Sequence, residues 1–189
     1  MVTTPNTWFT SDTHFFHPLM ARLRGYESVE EHDEAIIKLW NSQVQPGDHV
    51  YHQGDFALCP GSKIKDYTRR LNGNIYLVRG NHDSFGTSAS ASRGFSWIKD
   101  YHELQMGTYR FILFHYPILS WHWARSGTIM VHGHCHNALT HTEEKRGKTI
   151  DVCFRTDFGL YSAEELVNIM STRPTVSEDI KDNKDVAED

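Results

Sequence analysis

One repeated pattern constrains this 189-residue chain more than any other feature: a short β-forming run stops, and a cluster of polar residues follows. TWFT leads into Ser11-Asp12-Thr13-His14, HVYHQ into Gly54-Asp55, and IYLVR into Gly80-Asn81-His82-Asp83. FILF leads into His115, and IMVH into Gly133-His134-Cys135-His136. In open α/β sheets ligands gather beyond the carboxyl ends of the strands, so clusters as far apart in sequence as Asp12 and His136 are expected to meet on one rim.

The rest of the chain supplies a scaffold for that rim. Strands are expected at 7–10, 49–53, 74–79, 110–114, 129–132 and 149–154, from runs of β-branched, aromatic and apolar residues. The segment SVEEHDEAIIKLWNSQV reads as an amphipathic helix, with Ser28 and Glu31 at capping-box spacing and Val29, Ala35, Ile36, Leu39 and Trp40 mostly on one face. Further helices are expected at 62–71 and from Ser162 to about Ser171, the latter opened by Ser162 with Glu165 three residues on. Gly107 and Thr108 suit a hairpin turn, and the Ser- and Gly-rich stretch 84–94 reads as a mobile loop. This order points to an α/β fold with a mixed sheet or two packed sheets, in one domain over residues 1–172. Residues 173–189 read as an acidic, disordered tail.

Charge narrows the partners. The formal net charge of -5 is concentrated after residue 172, where three basic residues face six acidic ones, so the body is nearly neutral. No basic run marks a surface for gripping long nucleic acid, which favours small or locally exposed substrates. No apolar run is long enough to cross a bilayer, and the amino terminus lacks the basic flank and apolar core of an export signal, so the cytoplasm is the expected location. Three cysteines without paired spacing argue against a disulfide framework or a four-cysteine zinc site and read as small apolar fillers.

Thirteen histidines are the compositional anomaly. Imidazoles, two carboxylates and a carboxamide at the strand ends form a donor mixture suited to manganese, iron, zinc, nickel or cobalt rather than to magnesium or calcium. The glycines before Asp55, Asn81 and His134 fit tight turns that swing a ligand away from its strand. Any single cluster is also explained by ordinary turn chemistry.

In succession, Asp-x-His, Gly-Asp, Gly-Asn-His-Asp, a lone His and Gly-His-x-His resemble the calcineurin-like metallophosphoesterases over roughly residues 7–165. The resemblance implies a two-sheet α/β sandwich flanked by helices, without a large cap. It also implies two divalent transition-metal ions, manganese first, with Asp12, His14 and His136 on one, Asn81, His115 and His134 on the other, and Asp55 bridging. Such ions, about 3.5–4 Å apart, need a shared anion and acidify a water between them, the expected nucleophile on phosphorus. His82 is then a catalytic residue that faces the phosphate and stabilises the transition state or protonates the leaving oxygen. The chain departs from many relatives at Leu58, where they carry an acidic residue that supports this histidine. Asp83 is one candidate substitute, and equally an ordinary turn residue.

Other residues have two readings each. His17 could touch substrate or be an exposed loop residue. His52 and His132 could steady ligands from behind or be core histidines. The stretch YPILSWHWAR could offer Trp121, His122, Trp123 and Arg125 to a nucleobase and its phosphate, or simply pack. The expected function is hydrolysis of a small phosphate monoester or diester, nucleotides included. The rivals are a nuclease acting on nucleic-acid ends and a non-catalytic metal-binding scaffold; the filled ligand set argues against the latter.

Overall fold

The structure, a computed structural model, describes residues 5–84, 94–139 and 146–176. Two sheets pack face to face. The first has the order β4-β3-β2-β1-β9, formed by β1 (Thr7–Thr10), β2 (His49–His52), β3 (Asn74–Val78), β4 (Trp97–Lys99) and β9 (Tyr161–Ser162). In it β1 to β4 run parallel and β9 is antiparallel to β1. The second has the order β5-β6-β7-β8, formed by β5 (Tyr101–Met106), β6 (Tyr109–Phe114), β7 (Ile129–His132) and β8 (Thr149–Asp151). Only β5 is antiparallel there, paired with β6 through a turn at Gly107, whose φ of +57° suits a residue without a Cβ.

Alternation along each strand builds three layers of core. Trp8, Val50, Ile75 and Leu77 pack on the outer face of the first sheet. There they meet Ile36, Ile37 and Trp40 of α2 (Val29–Gln43) and Ile64 of α3 (Ile64–Thr68). Phe9, Val78, Phe111, Leu113, Ile129 and Val131 fill the space between the sheets with Leu166 and Met170 of α4 (Ala163–Ser171). Ile112 and Met130 turn the other way and are covered by Trp121 and Ala124. Each fully buried aliphatic side chain contributes about 1.5–3 kcal/mol.

The two-sheet α/β architecture agrees with the sequence reading, and its differences have local causes. The run at 149–154 leaves the ladder after Asp151, whose carboxylate accepts from the amides of Asn137 and Cys153 at 2.8 and 2.9 Å and turns the chain. The helix expected over 62–71 keeps five helical residues. Strand β5 is the first arm of the hairpin expected at Gly107 and Thr108, whereas β4 and β9 are additions, as is α1 (Pro18–Leu23), six residues too short to show a period, opened by Pro18 and capped by His17. Ser162 and Glu165 form the complete capping box expected of α4. At α2 only Ser28 caps, because the Glu31 carboxylate takes the Glu27 amide instead. Residues 173–176 lie against the body: Arg173 bonds to the Thr149 carbonyl and Val176 packs beside Trp121. Most of the serine- and glycine-rich stretch, and residues 177–189 of the expected tail, lie outside the described residues.

Candidate metal centre

The carboxyl ends of β1, β2, β3, β6 and β7 deliver Asp12 and His14, Asp55, Asn81 and His82, His115, and His134 and His136 to one rim. Two groups of donors form there, Asp12 with His14 and His136, and Asp55 with His115 and His134; within each, one ligand atom per residue lies within 4.8 Å of the others. Asn81 joins the second, its Oδ1 3.0 Å from His115 Nε2.

Distances identify the atoms that face inward. His14 Nε2 lies 3.8 Å from Asp12 Oδ1, and His136 Nε2 lies 3.6 Å from the same oxygen. Asp55 Oδ2 is 3.8 Å from His14 Nε2 and 3.6 Å from His115 Nε2, so one carboxylate oxygen faces both groups. Its other oxygen accepts from the His82 amide at 2.8 Å. The His115 Nδ1–H donates to the Gln53 carbonyl at 2.7 Å, which leaves the lone pair of Nε2 pointing inward.

Three features say that these residues fit cations. Among the described residues neither ring nitrogen of His14 has a hydrogen-bond partner, although the residue is 2% exposed and buried polar atoms are normally satisfied. Burial drives its basicity down to about 2, so the imidazole is neutral and free to coordinate. Burial also raises the Asp12 carboxyl to about 8, helped by the nearby Asp151 and Asp55 charges, so its ionised form is disfavoured by itself and a cation would stabilise it.

The backbone carries the strain of this convergence. Left-handed φ values occur at Asp12, His14, Asp55, His134 and His136, five of the eight non-glycine residues with positive φ among those described. Such conformations cost about 1–3 kcal/mol each and persist where surrounding structure over-determines them. Of the three glycines expected to supply tight turns, Gly54 does so with a φ of +97°. Gly80 and Gly133 act through space instead, since a Cβ there would collide with the Asp55 and Asp12 carboxylates respectively.

A model of the calcineurin-like phosphoesterase superfamily domain matches residues 7–153. The chain belongs to this superfamily. It is similar to the uncharacterized protein MJ1445 of Methanocaldococcus jannaschii, with 34% identity over 133 residues covering 68% of either chain. The Gene 66 protein of Mycobacterium phage L5 is 26% identical over 198 residues, covering 88% of this chain and 94% of the phage protein. Among solved structures, the protein of unknown function AQ665 from Aquifex aeolicus aligns over 88% of this chain and all of its own, with a TM-score of 0.69 and 24% identity, and has the same fold. Calcineurin-like phosphoesterases use divalent metals, and the two donor groups are the candidate places for them here.

Several residues take roles that the sequence left open. Asp83 does not hold the His82 ring: its buried carboxylate accepts from the amides of Asp55, Phe56 and Gly80, each at 2.8 Å, and ties two ligand loops together. His82 instead has its ring centroid 5.3 Å from that of His14 and 5.8 Å from that of His17, while Leu58 is 40% exposed. His17 Nδ1 caps α1, accepting from Met20 N at 3.4 Å. His52 Nδ1 accepts from the Gly54 amide, so its Nε2–H donates to the Thr13 hydroxyl, which donates onward to the Phe56 carbonyl. His132 Nδ1 lies 2.9 Å from the Gly133 carbonyl and steadies the start of the β7 loop. Cys153 is more than filler, because its Sγ lies 3.5 Å from His136 Nδ1, behind the inward-facing nitrogen.

The stretch after His115 divides. Tyr116 sets its ring edge-on to His115 and His134, with both centroids 4.8 Å away. Trp121 is core and donates to the Thr128 carbonyl, His122 pairs with Glu103, and Trp123 lies under the Arg110 guanidinium at 4.2 Å. These three contacts are all with residues outside the donor groups.

Proposed function

We propose that this protein hydrolyses small phosphate monoesters or diesters, nucleotides among them, at a dinuclear centre. Asp12, His14 and His136 would hold one divalent transition-metal ion, Asn81, His115 and His134 the other, with Asp55 shared and manganese the first choice. Bound there, the ions supply Lewis acidity towards the phosphoryl oxygens and acidify a water. The observation that carries the reading is the position of Asp55 Oδ2, within 4 Å of an inward-facing imidazole nitrogen of each group.

The chain's own residues account for the remainder. Asp55 is anchored at Oδ1 by the His82 amide and through its own amide by Asp83, so its second oxygen is presented in a fixed direction. The neutral imidazoles keep their lone pairs inward because Gln53 fixes His115 from behind and Cys153 abuts His136. His82 is only partly buried and stands at the mouth beside His14, where its ring can give a proton to a departing alkoxide. Among the described residues His17 is the other imidazole beside it, with ring centroids 5.8 Å apart and the rings edge to face.

The test is hydrolysis of a panel of monoesters, diesters, cyclic nucleotides and short oligonucleotides by manganese-loaded protein, with Asp55→Asn as the control. Turnover of small esters that vanishes in Asp55→Asn is expected. A fully loaded protein inert towards every small ester would sink the reading, and cleavage confined to oligonucleotide ends would replace it with a nuclease.

A further inference from the structure

The β1 loop needs an external restraint. Asp12, His14 and Phe16, alternate residues of one short segment, all have left-handed φ, at +53°, +52° and +58°. One edge of the segment is paired by amide bonds to the carbonyls of Gly54, Asp55 and Phe56. Those bonds use the segment's N–H groups and leave the carbonyls of Asp12 and Thr13 to be met from the other side.

Arg24, at the end of α1, meets both. Its Nη2 donates to the Asp12 carbonyl at 2.6 Å, and its Nη1 to the Thr13 carbonyl at 2.9 Å. The same Nη1 donates to His32 Nε2 at 2.9 Å. His32 must therefore accept at Nε2 and carry its proton on Nδ1, which donates to Asp33 Oδ1 at 2.9 Å. The Asp33 carboxylate also accepts from the Phe16 amide and, at 2.8 Å, from the Tyr67 hydroxyl. His32 and Asp33 are 0% and 4% exposed, although they lie on a helix whose buried face is otherwise apolar. A polar chain of this length inside a core is justified only if each member is satisfied, and these are. Arg24 also lies beside Cys153, whose sulfur backs His136, so one guanidinium stands behind all three donors of the first group.

We propose that Arg24, held by His32, Asp33 and Tyr67, is a positioning residue that sets the geometry of the Asp12, His14 and His136 half of the centre and thereby its metal affinity. Its hydrogen bonds go to backbone carbonyls and to His32 rather than to an inward-facing donor atom. Its planar fork addresses two successive carbonyls and an imidazole at once, a task that the point charge of lysine cannot perform. The inference rests on the two-ion reading above, and it predicts an asymmetric defect: the Asp55, His115 and His134 half has its own backbone anchors and should not notice.

Manganese titration calorimetry on the full chain tests it, comparing the parent with Arg24→Ala, Arg24→Lys and His32→Ala, with unfolding curves of the metal-free proteins alongside. Each variant should bind one ion as the parent does and the other about 10- to 100-fold more weakly, the usual cost of removing a group behind a ligand. Lysine should fail to rescue. Parental affinities at both positions in folded Arg24→Lys would overturn the inference, as would equal weakening of both. Failure of Arg24→Ala and Arg24→Lys alike to fold would assign the residue to folding and overturn it too. A parent that binds fewer than two ions sinks the two-ion reading instead.

Discussion

The two halves of the proposed centre are built from similar residue types and held in different ways. Asp12, His14 and His136 are all left-handed, and Asp12 and His14 are fully or almost fully buried. Of the other half, Asp55 and His134 are left-handed and Asp55 and His115 are buried; each half exposes one histidine, His136 or His134, and the second also exposes Asn81. The first half is fixed by the Arg24 side chain on the Asp12 carbonyl, and the second by the Gln53 carbonyl behind the His115 ring and the Asp83 carboxylate on the Asp55 amide. Left-handed backbone at every donor demands prior assembly, whereas an exposed donor outside that region, such as Asn81, can settle around an ion as it arrives. The first half should therefore be the more preformed, and the second the more adjustable.

The largest effect that separates catalysis from both halves is expected at His82. His82→Ala should retain two ions yet lose about 10²- to 10⁴-fold in turnover of an alkyl ester, and less with a nitrophenyl ester, whose leaving group needs little protonation. Equal losses on both esters would reject proton donation, and loss of an ion would show that His82 belongs to one half. Next comes crowding of a single half. Gly133→Ala pushes a Cβ against the Asp12 carboxylate and Ser11, and overpacking of this kind costs about 1–3 kcal/mol. Manganese binding at the first half should weaken by roughly one to two orders of magnitude, read by calorimetry, while the second half holds. Weakening of both would erase the distinction.

The smallest effect on the centre is expected at Asp48, which precedes β2 and so lies away from its carboxyl end. Burial pushes its carboxyl up, but donors from Gln45, Trp8 and Asn6 outweigh burial and hold it below the ordinary carboxylate range. A carboxyl depressed in the folded state contributes stability that is present above its unfolded value near 4 and is lost as pH falls through the folded value. Asp48→Asn should cost about 1–3 kcal/mol near neutrality with both manganese affinities unchanged, and the gap should close in acid. A gap that does not narrow as the pH falls through the acid range would contradict the assignment.

What was legible in the sequence is what has a local signature. Strand runs ending in Asp12, Asp55, Asn81, His115 and His134 were readable because a strand end and a ligand are neighbours in the chain, and the sheets then bring the ends together. Left-handed backbone at Asp12 or His136 has no such signature, since no glycine marks it. His32 and Asp33 were hidden for the opposite reason: on an amphipathic helix polar residues read as solvent-facing, and only the arrival of Arg24 and Tyr67 from other elements makes their burial affordable. Asp83 looked like a turn residue or a support for His82 until its three amide donors from two loops were in place.

The central claim is that two ions share one carboxylate, and metal stoichiometry reaches it most directly. Elemental analysis after manganese loading and desalting should give two ions per chain for the parent, and about one for His115→Ala and for Asn81→Ala. It should give one for His14→Ala as well, from the other half. Saturation of the parent at a single ion, with Asn81 and His115 dispensable, would contradict the account.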